Sequence, residues 1–417
     1  MLIYTLVIRF YHFIVRILSP FNKKAKLFTK GRSGLFQKIK QELTSNTSPV
    51  IWIHAASLGE FEQGRPVIEK LKTTFPDHKI VLTFFSPSGY ELRKDYDKAD
   101  YVFYLPTDTK SNAKQFIELV KPKLVIFIKY EFWLNYLNQL HVQSIPTLLI
   151  SGIFRPDQHF FKWYGGIFKR TLFHYKHLFL QNEESLQLLQ QQGIKNCSVA
   201  GDTRFDRVLE IAAAPKKFEE IEAFTKNNFT ILAGSTWAED EKYLLQSFSL
   251  LRKKHPETKL LIAPHNIESV NIHQLLSLLK SNAPELTFQL YTQWDKRTSA
   301  DILVVDTIGM LSSLYQYAQV AYIGGGFGSG IHNILEALVY GIPVVFGPNY
   351  GKFNEAHESI KKGISFPFGN QDDLNIILNG FLSNKTHLED IRKHSTEYVK
   401  ANAGSSDKIV AFIPRVL

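Results

Sequence analysis

Short apolar runs alternate with segments of helical spacing along the whole chain. The runs are rich in β-branched and aromatic residues, which is typical of strands buried in a parallel sheet. We predict strands at residues 50–55, 79–84, 101–105, 124–128, 147–150, 177–180, 229–233, 259–263, 302–305, 320–323 and 344–346. Strands that alternate with helices predict an α/β fold, in which helices cover both faces of each parallel sheet.

The alternating pattern divides into two halves. The first half closes at 199–202, and the segment 204–218 is the predicted junction. A chain of 417 residues is too long for one core and suits two or three domains. We therefore predict two doubly wound, Rossmann-like domains that face each other across a cleft. The predicted divisions are an N-terminal helix with a basic segment (1–32), a first domain (33–210), a second domain (211–395) and a tail that packs back towards the first domain (396–417).

A glycine-rich loop, Gly324–Gly330, joins the predicted strand 320–323 to a predicted helix at 332–340, and Gly341 follows as its C-cap. Such a loop lets a ligand approach the backbone, and the N-terminus of the following helix attracts anions. The glycines do not match the dinucleotide fingerprint, and no Walker A lysine follows them. The loop therefore predicts an anion site of another kind.

Asn333 and Glu336 stand three residues apart at the start of the predicted helix. They fit a capping box, in which Asn333 caps the helix and Glu336 reaches back. They also fit a ligand site, in which Glu336 accepts hydrogen bonds from a sugar diol while the loop holds a phosphate. The pattern leaves both interpretations open.

Ser57 and Glu60 follow the predicted strand 50–55 and fit a second capping box. A functional interpretation stands beside it, because open α/β sheets bind ligands at the carboxyl ends of their strands. The N-terminus of the following helix favours the ionised form of Glu60. A carboxylate held there is a candidate general base.

The first eighteen residues have helical spacing, with one polar stripe of Thr5, Arg9, His12 and Arg16 and apolar residues elsewhere. The first acidic residue is Glu42, and seven lysines and arginines lie between 23 and 40. Eighteen helical residues span roughly 27 Å, slightly less than a bilayer core. We predict a helix that lies on an anionic membrane surface. A single-pass anchor and a helix packed on the protein's own core are the alternatives, and no cleavage site of a signal peptide follows.

Composition narrows the choice of partners. The net charge of +10 indicates an anionic partner: a nucleic acid, a phosphorylated substrate or a membrane. We expect no nucleic acid, because the positive charge concentrates beside apolar residues before Glu42 and no nucleic-acid-binding motif occurs. The single cysteine excludes an internal disulfide, and no histidine or cysteine pattern predicts a metal site.

Taken together, the loops that follow the strands resemble those of the Kdo transferase family. Its members move 3-deoxy-D-manno-octulosonic acid (Kdo) from its CMP donor to the lipid A precursor. The matching segments are Ser57-Leu58-Gly59-Glu60, Ser86-Pro87-Ser88-Gly89, Leu105-Pro106-Thr107-Asp108, Glu131-Phe132-Trp133-Leu134-Asn135, Gly234-Ser235-Thr236, Asp306-Thr307-Ile308-Gly309 and His332-Asn333-Ile334-Leu335-Glu336. The resemblance covers nearly the whole chain. It implies a GT-B fold, inversion at the anomeric centre and no metal or other cofactor.

The resemblance also implies roles for single residues. It makes Glu60 the catalytic base. On the donor side it implies contacts to CMP from Ser235, Thr236, Pro264, His265, Ile308, Gly309, Gly328, Asn333 and Glu336. On the acceptor side it implies Ser57, Gly59, Ser88 and Glu131.

Two departures from the family pattern affect these roles. The family usually has Pro-Arg-His where this chain has Pro264-His265-Asn266, so either His265 replaces the arginine or Lys352 reaches the phosphate. The family's Glu-x-Glu before tryptophan is here Lys129-Tyr130-Glu131, so one acceptor-side carboxylate is missing.

The expected function is therefore transfer of Kdo from CMP-Kdo to the lipid A precursor (lipid IVA) in lipopolysaccharide core biosynthesis. The expected location is the cytoplasmic face of the inner membrane, bound through the N-terminal helix. Another GT-B enzyme that uses a UDP-sugar, either a transferase or a 2-epimerase, is the alternative.

Overall fold

The computed structural model describes residues 2–129, 132–295 and 299–417, without the side chain of Leu2. These residues form two compact units. The N-terminal unit comprises the chain up to Arg207 together with Asn402–Leu417, and the C-terminal unit is Val208–Ala401. From the sequence we placed the corresponding divisions at residues 210 and 395.

Each unit is built on a parallel sheet of seven strands, and the predicted strands are confirmed with ends shifted by a few residues. The strands are β1 Val50–Ala55, β2 Lys79–Phe84, β3 Tyr101–Tyr104, β4 Pro122–Ile128, β5 Thr147–Gly152, β6 His177–Leu180, β7 Cys197–Val199, β8 Phe229–Thr236, β9 Thr258–Pro264, β10 Phe288–Leu290, β11 Ile302–Val304, β12 Val320–Ile323, β13 Val344–Phe346 and β14 Ser365–Pro367. Strands β7, β10 and β14 were not predicted. Each is a three-residue strand at a sheet edge that contains a polar residue, so it shows no continuous apolar run, unlike the equally short β11 and β13.

Helices connect the strands, as the alternating pattern predicts. They are α1 Leu2–Leu18, α2 Lys23–Lys30, α3 Leu35–Leu43, α4 Leu58–Thr74, α5 Pro87–Arg93, α6 Lys110–Val120, α7 Leu134–Val142, α8 Gly166–Leu172, α9 Glu183–Gln191, α10 Thr203–Ala213, α11 Glu219–Thr225, α12 Ala238–Lys254, α13 Ser269–Asn282, α14 Leu311–Leu314, α15 Leu335–Leu338, α16 Asn354–Lys361, α17 Gln371–Ser383, α18 Lys385–Ala401 and α19 Ser405–Phe412. Helix α10 contains the division between the units.

Strand order fixes where each unit can bind a ligand. The N-terminal sheet has the order β3-β2-β1-β4-β5-β6-β7, and the C-terminal sheet has the order β10-β11-β9-β8-β12-β13-β14. The direction of chain progression reverses between β1 and β4 in one sheet and between β8 and β12 in the other. Ligands of open α/β sheets bind at such switch points, outside the carboxyl ends of the strands. The Ser57–Glu60 loop follows β1, and the glycine loop follows β12.

The helix predicted at 332–340 is wrong in its extent. Helix α15 covers only Leu335–Leu338, and residues 331–333 have no regular structure. The C-cap of this helix is Val339, and Gly341, the predicted C-cap, lies two residues further on with a φ of +74°. Because a single turn aligns few peptide dipoles, α15 lacks the strong N-terminal dipole on which the predicted anion site depended.

Helix α1 leaves its apolar side exposed instead of packing it on the core. Ile3, Phe10 and Phe13 are 78%, 63% and 59% exposed. The side facing the N-terminal unit carries polar contacts: Tyr4 Oη–H donates to Asp108 Oδ2 over 2.8 Å, and Thr5 Oγ1 accepts from Asn135 Nδ2 over 3.3 Å. No single helix of the described residues is long and apolar enough to cross a membrane. The bent pair Ile3–Leu18 and Lys23–Lys30 passes that test only when its two members are counted together.

Candidate active site

Glu60 lies in the first turn of α4, directly after the switch-point strand β1. Ser57 caps this helix: its Oγ accepts the N–H of Gly59 over 3.2 Å, and its hydroxyl donates to the carboxylate of Glu60. A capping box would have Glu60 accept from the backbone N–H of Ser57, whereas here the two side chains bond directly. Glu60 is half-buried. Among the described residues, Ser57 is the one group hydrogen-bonded to this carboxylate, so Glu60 is oriented and still able to accept a proton.

The other predicted acceptor-side residues take different places. Gly59 is exposed beside Glu60. Ser88 lies in the first turn of α5, after the neighbouring strand β2, and its hydroxyl is 2.9 Å from that of Ser86. Within the described part of the chain no hydrogen bond joins Ser88 to Glu60. Glu131 lies outside the described residues.

In the C-terminal unit, the end of β8 and the glycine loop are in close contact. A Cβ atom on Gly324 would lie 2.3 Å from the carbonyl oxygen of Ser235 and 2.7 Å from Cα of Thr236, so only glycine fits. Ser235 itself has a φ of +54°, an uncommon backbone conformation for a residue with a side chain. Two predicted donor-site residues thus lie against the predicted loop.

Asp240, which the sequence analysis did not single out, holds this arrangement together. Its carboxylate accepts the backbone N–H groups of Trp237 and Gly325 over 3.0 Å and 2.9 Å and the hydroxyl of Tyr322 over 3.0 Å. Burial raises the pKa of Asp240. The carboxylate therefore occupies the N–H of Gly325, which is then not offered to an anion, and it fixes the glycine loop against the end of β8.

Three rings stack above the same strand ends. The ring centroids of Trp237 and His265 are 4.6 Å apart, and those of His265 and His332 are 4.5 Å apart. Trp237 Nε1–H donates to Nε2 of His332 over 3.3 Å. Burial, together with the nearby His265, lowers the pKa of His332 to about 4, and burial lowers the pKa of His265. Neither imidazole is mainly cationic at neutral pH, so His265 does not reproduce the charge of the family's arginine.

A cavity of about 250 Å³ opens beside the stacked rings. Its floor holds Glu241, which is 6% exposed and accepts from Thr236 Oγ1 over 2.9 Å. Burial raises the pKa of this carboxyl group to about 7. The other lining residues are both polar and apolar: Thr236, Trp237, Ala238, Lys242, Pro264, Asn266, Asn271, Gln274 and Leu278. Two of the predicted donor-side residues, Thr236 and Pro264, therefore line this cavity.

Asn333 and Glu336 interact with each other at the start of α15. Asn333 Oδ1 accepts the N–H of Leu335 over 3.2 Å, and its Nδ2 donates to Glu336 Oε1 over 3.1 Å. Burial and then the charge of Glu336 raise the pKa of Tyr315 and bring that of Tyr340 to about 12. The pair therefore caps the turn locally, and its polar groups remain half-buried at the switch point.

The remaining predicted donor-side residues lie further out. Ile308 is 75% exposed in the loop after β11, and Gly309 follows it with a φ of +81°. Gly328 is exposed in the glycine loop, where its carbonyl oxygen accepts from Asn349 Nδ2 over 3.0 Å. In the described residues, no hydrogen bond links Ile308 or Gly309 to the other predicted donor-side residues.

The sequence reasoning missed Trp237, Asp240 and Glu241, and it did not assign a role to His332. A signal existed for the acids, since Glu239, Asp240 and Glu241 follow the Gly234–Thr236 segment directly. Acids are common in the first turn of a helix, so the pattern does not reveal which of them are buried. Among the described residues, no group of three or more His, Cys, Asp or Glu side chains is placed to hold a metal ion.

Comparisons with known proteins show which enzymes this chain resembles. A sequence model of the 3-deoxy-D-manno-octulosonic-acid transferase (kdotransferase) family matches residues 29–207. A 3-deoxy-D-manno-octulosonic acid transferase of Aquifex aeolicus is 28% identical over 84% of this chain and 90% of its own length. One from Rickettsia bellii is 26% identical over 88% of each chain.

A solved structure shows the same fold. The UDP-GlcNAc 2-epimerase from Neisseria meningitidis bound to UDP-GlcNAc matches with a TM-score of 0.63 and 17% identity, over 88% of this chain and 100% of the epimerase. At this identity the match concerns the two-domain α/β fold, which is similar to that of GT-B enzymes. The sequence comparisons distinguish among enzymes of that fold: over most of its length the chain is similar to 3-deoxy-D-manno-octulosonic acid transferases, which indicates a glycosyltransferase.

Proposed function

We propose that this protein transfers Kdo from CMP-Kdo to the lipid A precursor, lipid IVA, in lipopolysaccharide core biosynthesis. The observation that carries the proposal is the carboxylate of Glu60, oriented by the Ser57 hydroxyl at the switch point of a sheet, in a chain that is similar to Kdo transferases over most of its length. A transferase that inverts configuration needs one base and no second nucleophile.

The proposed reaction is a single displacement. Glu60 takes the proton from an acceptor hydroxyl, and the hydroxyl oxygen forms a bond to the anomeric carbon of Kdo. The bond between that carbon and the phosphate oxygen breaks, and CMP leaves with the electron pair. Because the transition state resembles an oxocarbenium ion, a positioned base and a stabilised leaving group supply the main assistance.

We assign the donor to the C-terminal unit. The CMP moiety would lie at the ends of β8 and β12, against Ser235, Thr236 and the glycine loop, and Glu336 would accept from the ribose hydroxyls. Polar backbone groups and neutral rings dominate this region, since burial keeps His332 uncharged at neutral pH. In this proposal, hydrogen-bond donors stabilise the negative charge of the CMP phosphate, and a histidine cation contributes little.

We also propose that the protein works on the cytoplasmic face of the inner membrane. Helix α1 offers a row of exposed apolar side chains, and the exposed lysines of α2 lie next to it in the chain. An apolar face beside cations binds anionic bilayer surfaces. This attachment would bring the N-terminal unit to an acceptor that carries acyl chains.

Mass spectrometry of the lipid product tests the proposed activity. Purified protein is mixed with CMP-Kdo and tetra-acylated lipid A precursor in the presence of EDTA. We expect the lipid to gain the mass of one or more Kdo units. An unchanged lipid, with folded protein and intact donor, would contradict the proposal and turn attention to UDP-sugars.

A further inference from the structure

A second cluster of exposed aromatic side chains lies far from α1 in sequence, between β5 and β6. Trp163 is 95% exposed, Tyr164 52%, Phe173 49% and Ile167 36%. Trp163 and Tyr164 occupy the tip of a turn closed by a 2.9 Å hydrogen bond from Gly165 N–H to the carbonyl of Lys162. We call residues 162–165, with the rings of Trp163 and Tyr164, the aromatic turn. Because monomeric proteins seldom expose several large apolar side chains together, the aromatic turn and the adjoining α8 mark an interaction surface.

The aromatic turn is presented by a rigid base. Phe160, directly before it, is buried, with its ring centroid 4.3 Å from that of Phe132 and 5.9 Å from that of Phe154. A Cβ atom on Gly165 would lie 1.7 Å from the carbonyl oxygen of His159, so the turn tolerates only glycine there. The exposed rings are therefore held outward by packing beneath them.

The charged residues around the aromatic turn indicate what kind of partner it contacts. From Gln158 to Asn182 the chain has no acidic residue. Four cations lie in this stretch: Lys162, Lys169, Arg170 and Lys176. Tryptophan and tyrosine beside lysine and arginine are typical of segments in the interface of an anionic bilayer. Protein interfaces share the aromatic residues and arginine but are poor in lysine.

The position of the turn agrees with that of α1. The turn follows the carboxyl end of β5, in the sheet that carries Glu60 after β1. Helix α8, which begins directly after the turn, packs against α7. The side chain of Asn135 in α7 donates to Thr5 of α1. Two apolar segments distant in sequence thus lie on elements that contact the same helix.

We propose that the aromatic turn is a second membrane contact, inserted into the interface of an anionic bilayer together with α1. This inference rests on the proposed membrane attachment of α1 and extends it. Two contacts define an orientation where one helix would leave the N-terminal unit free to rotate. The carboxyl edge of the sheet, and with it Glu60, then faces the bilayer that holds the acceptor.

Quenching by brominated lipids tests the insertion directly in the full-length protein. Vesicles of phosphatidylglycerol and brominated phosphatidylcholine quench the fluorescence of tryptophans that enter the acyl region. We expect quenching in the unmodified protein and in Trp294→Phe, which removes a partly buried tryptophan of the C-terminal unit. We expect Trp163→Phe to lose most of the quenching.

Vesicle co-sedimentation gives the affinity. The double variant Trp163→Ala/Tyr164→Ala should bind anionic vesicles about tenfold more weakly, because two interfacial side chains are lost. Ile376→Ala, which removes an exposed side chain of α17, is the matched control and should bind unchanged. Equal melting temperatures of these variants confirm that each is folded.

The outcomes separate the two proposals. If the unmodified protein binds vesicles but Trp163→Phe is quenched to the same extent as the unmodified protein, the aromatic turn is not inserted. Only the attachment by α1 then remains. If the unmodified protein binds neither anionic nor neutral vesicles, both membrane proposals fail. Equal binding to neutral vesicles would overturn the role of the cations, whereas a soluble protein bound at Trp163 would replace the bilayer as the partner. None of these results depends on the transfer reaction.

Discussion

The carboxylate of Glu60 is held in position and is still accessible to an acceptor hydroxyl. Ser57 holds one side of its carboxylate, and the side chain is only half-buried. We expect Glu60→Gln to lower the transfer rate by about 10²–10⁴-fold, the usual contribution of a general base. Binding of CMP, measured by calorimetry, should be unchanged, because the base acts on the acceptor.

Glu62 provides the control for this prediction. It lies two residues further along α4 and pairs with Arg93 over 2.9 Å, Arg207 over 3.7 Å and Arg65 over 3.9 Å. Glu62→Gln should lower the melting temperature and leave transfer intact wherever the protein is folded. If Glu60→Gln instead lost CMP binding and stability together, Glu60 would be a structural capping residue.

Glu241 makes the stability of the C-terminal unit depend on pH. Its pKa is about 7 in the fold against an ordinary 4.5, so the folded state binds the proton more tightly between these values. The free energy of unfolding therefore falls as the pH rises from about 4.5 to 7. Glu241→Gln, which cannot ionise, should gain stability relative to the unmodified protein over this range, on the order of 2 kcal/mol. Parallel melting curves of the two proteins from pH 5 to 8 would contradict the assignment.

At the scale of elements, the glycine loop packs closely against β8, and it is also the proposed place for the donor. Gly324→Ala would place a methyl group 2.3 Å from a backbone oxygen of β8. Since backbone cannot rotate away as a side chain can, we expect a loss of about 1–3 kcal/mol of stability. Donor binding should weaken as well, because the ends of β8 and β12 would move apart.

Gly351→Ala is the matched control for the glycine loop. A Cβ atom there meets nothing within 4 Å, so the melting temperature should stay the same. Chemical denaturation measures stability, and calorimetry with CMP measures binding. A stable Gly324→Ala variant with normal CMP affinity would show that the loop can shift without consequence.

The helix α15 is shorter than the hydrophobic spacing of residues 332–340 predicts. Ile334, Leu335 and Leu338 have helical spacing and are buried, as predicted. Yet His332 is held in the stack with His265, and its backbone N–H donates to the carbonyl of Gly324. These contacts keep residues 331–333 out of the helix, and hydrophobic spacing contains no information about them.

At the scale of the whole molecule, α1 is joined to the N-terminal unit by few contacts. Removal of residues 2–18 would leave Asp108 with its bonds from the backbone N–H groups of Asn135 and Tyr136, both 3.1 Å long. We expect the shortened protein to remain folded and to lose binding to anionic vesicles. Circular dichroism and co-sedimentation measure the two properties. An insoluble or unfolded product would mean that α1 belongs to the core.

The sequence by itself determined the α/β class, the two sheets and the loops that follow β1, β8 and β12. These depend on local apolar runs and glycines, which the chain displays directly. The family resemblance selected Glu60, Ser235 and Glu336 because motif order is also a property of the chain. The three short edge strands were missed because each contains a polar residue and shows no continuous apolar run.

Only the tertiary structure decided which polar groups are buried and which apolar groups are exposed. Asp240 looks like an ordinary first-turn acid until it binds the loop after β12, and Glu241 until it is buried beside Thr236. Trp163 looks like a core residue until the turn at Gly165 holds it outward. Burial and contact are set by residues far apart in sequence, so the exposed aromatic turn and the perturbed carboxyl groups could be found only after folding.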